Sequence, residues 1–288
     1  MSLEVSVCMT TYNQEKYVAE AIESVLAQKT SFPVQLVVGE DCSADNTYQV
    51  CQRYAALYSS ITLQHRSYNM GLARNLALTW QECKGKYIAM LEGDDYWCSH
   101  DKLQRQVELM EHHPEYSMCF TTANVKDETN SDNHREFPYR KSRKVSLNLP
   151  DIIRHNLLAN CSVMYRGGLV PQLPKWMLGL PCLDLALHCL HAQYGDIGYI
   201  SEHMAIYRLH SGSSFECKSL VERVRISTEV YAALAQYLPY PYCEQARQTL
   251  VLMYAGLILY DLYKMPLGYR LGTGAIALEE LDHLRRSK

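Results

Sequence analysis

Glu92, Asp94 and Asp95 crowd three carboxylates into four consecutive residues, Glu92-Gly93-Asp94-Asp95. Carboxylates this close repel one another, so their joint ionisation calls for a cation or for strong hydrogen-bond donors. Hard divalent cations, Mg2+ or Mn2+, take oxygen ligands and commonly bridge one or two carboxylates to substrate phosphates. The plainer outcome is a solvated acidic turn ahead of the next helix, with Ser99 or Asp101 as its N-cap. A second acidic group, Asp41 and Asp45 in EDCSADNT, suits helix capping or a hydrogen bond to a nucleobase or ribose. One of the two is expected to cap and the other, Asp41, to point into a crevice. Cys182, His188, Cys189 and His191 suggest zinc, and the two histidines share a helical face. Structural zinc spacing pairs two close cysteines with two histidines, and no second cysteine pair lies nearby, so the pattern argues against it.

Such groups need rigid elements behind them, and the first hundred residues supply a regular alternation. Val5–Met9 and Val34–Val38 are short apolar runs that read as buried strands, as do Ile61–Leu63 and Tyr87–Leu91. Between them Val18, Ala21, Ile22, Val25 and Leu26 mark one face of a helix, as do Val50, Cys51, Tyr54, Ala55 and Tyr58. Leu72–Cys83 is a third helix. This alternation predicts a parallel sheet flanked by helices, in which ligands bind outside the carboxyl ends of the strands. The polar segments Thr10-Thr11-Tyr12-Asn13, Glu40–Asp45 and Glu92–Trp97 all fall there. From Ala123 to Lys144 the periodicity stops, which predicts a long loop. Beyond it come a short helix at Asp151–His155, a strand at Cys161–Tyr165, a helix at Leu183–His191 and two short strands around Ile197–Ile200 and Met204–Tyr207. Two helices close the chain, over Leu220–Leu238 and Tyr242–Lys264.

Composition narrows the function. A hydrophobic content of 48%, a charged content of 20% and a formal net charge of -3 describe a globular protein with no basic footprint for nucleic acid. The opening MSLEVSVCMTTYN lacks the features of a signal peptide. The longest uncharged stretch, Gln248–Tyr260, has thirteen residues, short of the roughly 18–20 that span a bilayer. Eleven scattered cysteines without a C-x-x-C pair suggest reduced thiols and a cytosolic setting. On the last helix Leu250, Met253, Tyr254, Leu257 and Ile258 form an apolar face suited to core packing or a homodimer. Together with the basic HLRRSK terminus it equally suits peripheral contact with the inner face of a membrane.

The segments VSVCMTTYNQEKYVAEAIESVLAQ, VVGEDCSADNT, NMGLARNLAL and KYIAMLEGDDYWCSHDKLQRQVELMEHHP together resemble the family 2 glycosyltransferases in order, spacing and content. The resemblance is strong over about residues 3–122 and weaker to about 215. It implies the α/β GT-A fold, a Rossmann-like and mostly parallel sheet that binds a nucleoside diphosphate sugar. It implies that Thr10 and Tyr12 contact the base and that Asp41 hydrogen-bonds it. Asn13 and Glu15 belong to the same nucleotide-sugar-binding loop, and Arg74 reaches the base or the phosphates. Glu92-Gly93-Asp94 occupies the D-x-D position, with Glu92 for the commoner first Asp, Asp95 beside it, and Trp97 placed to line the sugar pocket or join the core. LPCLDLALHCLHAQYGDIGYISEHMAIYRLHSGSS is similar to the family's later segment. There Asp184 matches the general base, although it also suits a helix cap. Arg208 and His210 match residues that close over the diphosphate. The implied Mg2+ or Mn2+ has Glu92, Asp94, Asp95 and His210 as candidate ligands.

The resulting expectation is a GT-A domain over residues 1–215 and a C-terminal helical region over 216–288. The expected reaction is inverting transfer from a nucleoside diphosphate sugar, UDP favoured, to a hydroxyl of a saccharide or lipid-linked saccharide in surface polysaccharide synthesis. The 123–144 stretch is expected to contact the acceptor. Two alternatives stay open: a nucleotidyltransferase, disfavoured because TTYNQEKY lacks a phosphate-loop glycine, and a noncatalytic nucleotide-sugar binder.

Overall fold

The computed structural model describes residues 3–129, 135–137, 146–156, 158–212, 215 and 218–263, the last six as backbone only. Seven elements alternate at the start: β1 (Val5–Thr11), α1 (Val18–Leu26), β2 (Val34–Glu40), α2 (Thr47–Leu57), β3 (Ile61–His65), α3 (Leu72–Glu82) and β4 (Tyr87–Glu92). Every residue of β1 is buried, as a strand covered on both faces requires. In α1, Val18, Ala21, Ile22 and Val25 are buried, the i, i+3, i+4, i+7 face read from the sequence. β1 pairs in parallel with β2 (Val7 opposite Leu36) and with β4 (Val7 opposite Ala89), and β3 extends the sheet beyond β2.

The second half is mixed. It comprises β5 (Tyr96–Trp97), α4 (Lys102–His112), β6 (Tyr116–Asp127), β7 (Arg135–Phe137), β8 (Ser146–Leu147), α5 (Leu149–Arg154), β9 (Val163–Arg166), α6 (Asp184–His191), β10 (Asp196–Leu209), α7 (Leu220–Tyr237) and α8 (Tyr242–Tyr263). The sheet runs β3-β2-β1-β4-β9-β6-β10-β5, with β7 on β6 and β8 on β10. β9 lies antiparallel between β4 and β6, while β6 and β10 are parallel.

Two sequence expectations change. The stretch from Ala123 is not loop throughout: β6 continues to Asp127, and β7 pairs back onto it through Ala123–Phe137 and Val125–Arg135. Pairing on both sides overrides the polar composition of this segment. Residues 130–134 and 138–144 of the expected acceptor loop lie outside the described residues. The two expected short strands are one, β10, with register shifts between Ile200 and His203 and between His203 and Ala205. Exposed Ser201, Glu202 and His203 sit at this irregularity, which breaks the apolar pattern without ending the strand.

Two apolar layers flank the sheet. One gathers α1, α2 and α4. The other joins α3, α5 and α6 with Val230, Tyr231 and Leu234 of α7 and Ala246 and Met253 of α8. The two C-terminal helices thus share the core of the α/β unit. The Ile258 side chain and the HLRRSK terminus lie outside the described residues. No helix among the described residues is long and apolar enough to cross a membrane.

Candidate functional site

The carboxyl ends of β1, β2 and β4 meet at one rim, and the acidic cluster starts where β4 ends. The Gly93 N–H donates to the Thr10 carbonyl at 3.0 Å, holding the turn beside β1. A Cβ at position 93 would lie 2.6 Å from both Thr11 Oγ1 and Gln14 Oε1, so only glycine permits this approach. The structure brings four sequence-predicted residues together around this turn: Glu92, Asp94, Asp184 and His210.

Glu92 is held from below by Asn160, whose Nδ2 donates to Oε1, while the buried Oε2 has no partner. Burial first, and then the charges of Asp184 and Asp94, push the Glu92 carboxyl well up. Asp184 opens α6. Burial lifts its carboxyl to about 6, and its own backbone N–H opposes that rise. Asp184 is therefore near enough to Glu92 for its charge to raise that carboxyl. Asp94, more open to solvent, meets His210 Nε2 through Oδ2 at 3.0 Å.

Asp95 has a different role. It is buried, and its Oδ1 accepts the Arg208 backbone N–H at 2.8 Å, tying the acidic turn to the end of β10. The Arg208 side chain, expected over a diphosphate, is 1% exposed and turned inward to Glu20 and to Glu128 Oε1. Its guanidinium carbon lies 4.6 Å from the Tyr17 ring centroid and 5.1 Å from that of Tyr96. Two carboxylates and two aromatic faces surround this cation within the fold. Tyr17 completes the cluster: its hydroxyl donates to Glu128 Oε2 at 2.9 Å, and its ring packs against His210 at 4.5 Å.

At the other end of the rim, Thr10 is buried and Tyr12 is 45% exposed. Asp41 is also buried. Its two carboxylate oxygens accept the backbone N–H groups of Met70 and Gly71, each at 2.9 Å. Gly71 has φ 84°, the left-handed conformation that starts α3. Asp41 therefore fixes the turn from which Arg74 projects, exposed, on the first turn of α3. Asp45 begins α2 by accepting the Thr47 N–H at 2.9 Å. Asn13 and Glu15 stitch this loop to the one after β1. Asn13 Oδ1 accepts the Ala44 N–H at 2.8 Å, and Glu15 Oε2 accepts the Asn46 N–H at 2.9 Å. Trp97 is in the core, its indole N–H donating to the Cys161 carbonyl at 2.8 Å.

The donor chemistry suits a divalent cation. Asp94 and the unpartnered Oε2 of Glu92 are hard oxygen donors, the type such a cation takes. Asp95 is committed to Arg208. Among the described residues no group of three or more histidine, cysteine or acidic side chains forms a self-sufficient metal site. In the Cys182–His191 segment, His188 Nδ1 meets the Tyr165 hydroxyl at 2.7 Å and His191 Nδ1 meets the Leu187 carbonyl at 3.0 Å, while the Nε2 atoms of both rings are buried without a hydrogen-bond partner. Asn160, Tyr17, Glu20 and Glu128 were not legible as site residues in the sequence. Their contacts span 68 positions of chain at Asn160–Glu92 and 188 at Arg208–Glu20, which no local pattern reports.

The family model described as "Glycosyl transferase family 2" matches residues 6–168. An uncharacterized protein of Mycobacterium tuberculosis, Rv1520, is 34% identical over 207 residues, covering 72% of this chain and 59% of the relative. A putative teichuronic acid biosynthesis glycosyltransferase of Bacillus subtilis, TuaG, is 31% identical over 164 residues, 56% of this chain and 61% of that protein. The chain thus spans about three-fifths of the length of these relatives. Among solved structures, a mannosyltransferase from Pyrobaculum calidifontis in complex with GDP-Man and Mn2+ superposes with a TM-score of 0.65 at 14% identity, covering 100% of this chain and 76% of that one. Residues 1–349 of TarS from S. aureus, in complex with UDP-GlcNAc, give a TM-score of 0.63 at 17% identity, covering 90% and 73%. At these identities the likeness shows a shared GT-A fold.

Proposed function

The chain belongs to glycosyl transferase family 2, and on that premise we propose that it transfers a sugar from a nucleoside diphosphate sugar to a hydroxyl of a saccharide or lipid-linked saccharide. The observation that carries the proposal is the pairing of an Asp184 carboxyl raised to about 6 with the Glu92–Asp94 cluster at the end of β4. One carboxylate is tuned to take a proton, and the others are placed where a diphosphate-bound cation is expected.

In this reading Asp184 removes the proton of the acceptor hydroxyl as that oxygen attacks the anomeric carbon, and the nucleoside diphosphate leaves from the opposite face, inverting the configuration. Asp94 with Glu92 would hold Mg2+ or Mn2+, which would supply electrostatic stabilisation for charge growing on the departing diphosphate. Thr10 and Tyr12 flank the base, Asp41 holds the Met70–Gly71 turn against it, and Arg74 reaches toward base or phosphates. Asn160 keeps Glu92 in place. UDP is the favoured nucleotide, and surface polysaccharide synthesis is the favoured setting.

Calorimetric titration with UDP and GDP, each with and without Mn2+, tests the donor site. Mn2+-dependent UDP binding that Asp94→Ala abolishes is the expected result. Binding of GDP alone overturns the choice of nucleotide. Failure of the folded protein to bind either nucleotide overturns the transferase reading. Asp184→Asn turning over UDP-sugars at the wild-type rate overturns the assignment of the base.

A further inference from the structure

His210 was expected among the metal ligands, and its surroundings assign it another task. Neutral imidazole carries one proton: the bare nitrogen accepts or ligates, and the other donates. His210 Nδ1 accepts the backbone N–H of Gly212 at 3.1 Å. That bond needs the lone pair on Nδ1 and so places the proton on Nε2. Nε2 lies 3.0 Å from Asp94 Oδ2, the distance of an N–H donor on a carboxylate. A nitrogen that carries a proton has no lone pair for a cation. Ligation through Nε2 would move the proton to Nδ1, directly against the Gly212 N–H. The ring is also fixed in place: Tyr17 packs on it at 4.5 Å and is itself anchored through its hydroxyl to Glu128 at 2.9 Å and through its N–H to the Gln14 carbonyl at 2.9 Å.

We propose that His210 is a positioning residue, an Nε2–H donor that orients the Asp94 carboxylate, and that Gly212 sets its tautomer and Tyr17 its ring orientation. The cation then takes its protein ligands from carboxylates alone. This rests on the metal-dependent donor site proposed above, but the tautomer is a property of the metal-free protein and is measured separately from it. An arrangement of this kind holds a ligating oxygen from outside the metal's own shell, where removing such a partner typically weakens metal binding about 10–100-fold.

Two measurements decide it. Long-range 1H–15N spectra of the metal-free protein at pH 8 report the tautomer, with the His210→Gln spectrum assigning the ring. The Nε2–H form is expected, and the Nδ1–H form overturns the proposal. Gly212→Pro, which removes the backbone donor, is expected to shift the ring toward Nδ1–H; an unchanged tautomer overturns the role given to Gly212. Pulsed electron paramagnetic resonance of Mn2+ with UDP bound then reports the metal shell. No coordinated nitrogen is expected. A 14N coupling of ligated imidazole that His210→Gln abolishes overturns the proposal. A protein that binds no Mn2+ with UDP overturns the metal reading itself, and the metal-free tautomer alone then stands for or against the role of His210.

Discussion

Replacing the proposed base by its neutral isostere, Asp184→Asn, should abolish turnover and at the same time stabilise the fold. The Asp184 carboxyl is raised from the ordinary 3.8 to about 6, chiefly by burial. A carboxyl whose folded pKa exceeds its unfolded one resists ionising in the native state. Its charge therefore costs stability above the folded pKa, and the cost fades as pH falls toward the unfolded value. At about 1.36 kcal/mol per pH unit, the rise amounts to roughly 3 kcal/mol at pH 8 and about half of that at pH 5. Asparagine carries no charge and should recover much of this amount. The assay is urea unfolding of wild type and Asp184→Asn at pH 8 and pH 5, in EDTA so that no cation offsets the charge. The variant should be more stable at pH 8, and its advantage should shrink at pH 5. Its kcat should fall about 10²–10⁴-fold, the span of general-base catalysis, with Mn2+-dependent UDP affinity retained. A variant less stable than wild type at pH 8, or an advantage equal at both pH values, would refute the claim that burial strains this carboxylate for catalysis.

Three further outcomes follow from the same geometry. With Mn2+ bound, kcat/KM should decline with unit slope at acid pH as Asp184 takes up its proton, the cation's charge drawing the break below the metal-free value of about 6; a profile with no acid limb that Asp184→Asn removes would take Asp184 out of the role of base. Asn160→Ala strips the Nδ2 donor from Glu92 Oε1, and leaving a buried carboxylate oxygen without its donor costs roughly 1–3 kcal/mol. Weaker Mn2+-dependent UDP binding by about tenfold or more is expected in calorimetry, and unchanged affinity would show that Glu92 needs no support. Lys102 is fully buried over the Trp97 ring at 4.3 Å, with its ammonium depressed from 10.5 to about 7 by burial. Its charged form is disfavoured in the fold, so the cost is full below about 7 and fades as pH rises toward 10.5. Lys102→Met should thus raise the urea midpoint at pH 7, less so at pH 9, and a lower midpoint at both would mean the Trp97 contact outweighs the burial cost.

The fold of the first half was legible because each element there is decided by local pattern. The β-branched run Val5–Met9 and the Val18, Ala21, Ile22, Val25 face carry their own periods, and alternation of such elements admits few topologies. The acidic cluster was legible for a related reason: three carboxylates in four residues state their own electrostatic problem, whatever surrounds them. The second half was harder to read. β6 and β10 are held by each other over most of their length, and sequence composition does not report a partner strand. A bulge at Ser201–His203 therefore read as a break, and the polar residues after Ala123 read as loop.

The division is sharpest at the site itself. The types and order of Asp41, Glu92, Asp94, Asp95, Asp184, Arg208 and His210, and the family they point to, were set along the chain. What each group does depends on which atoms face it. Arg208 has the charge to bind a diphosphate, but Glu20 and Glu128 approach from α1 and from the end of β6 and neutralise it within the fold. Asp94 and Asp95 are the same residue type side by side, yet Asp95 accepts a backbone N–H and Asp94 meets His210. A sequence carries the donors and acceptors; only the tertiary structure decides how they are paired, because hydrogen bonds and ion pairs act over about 3 Å and the chain brings those distances about by folding.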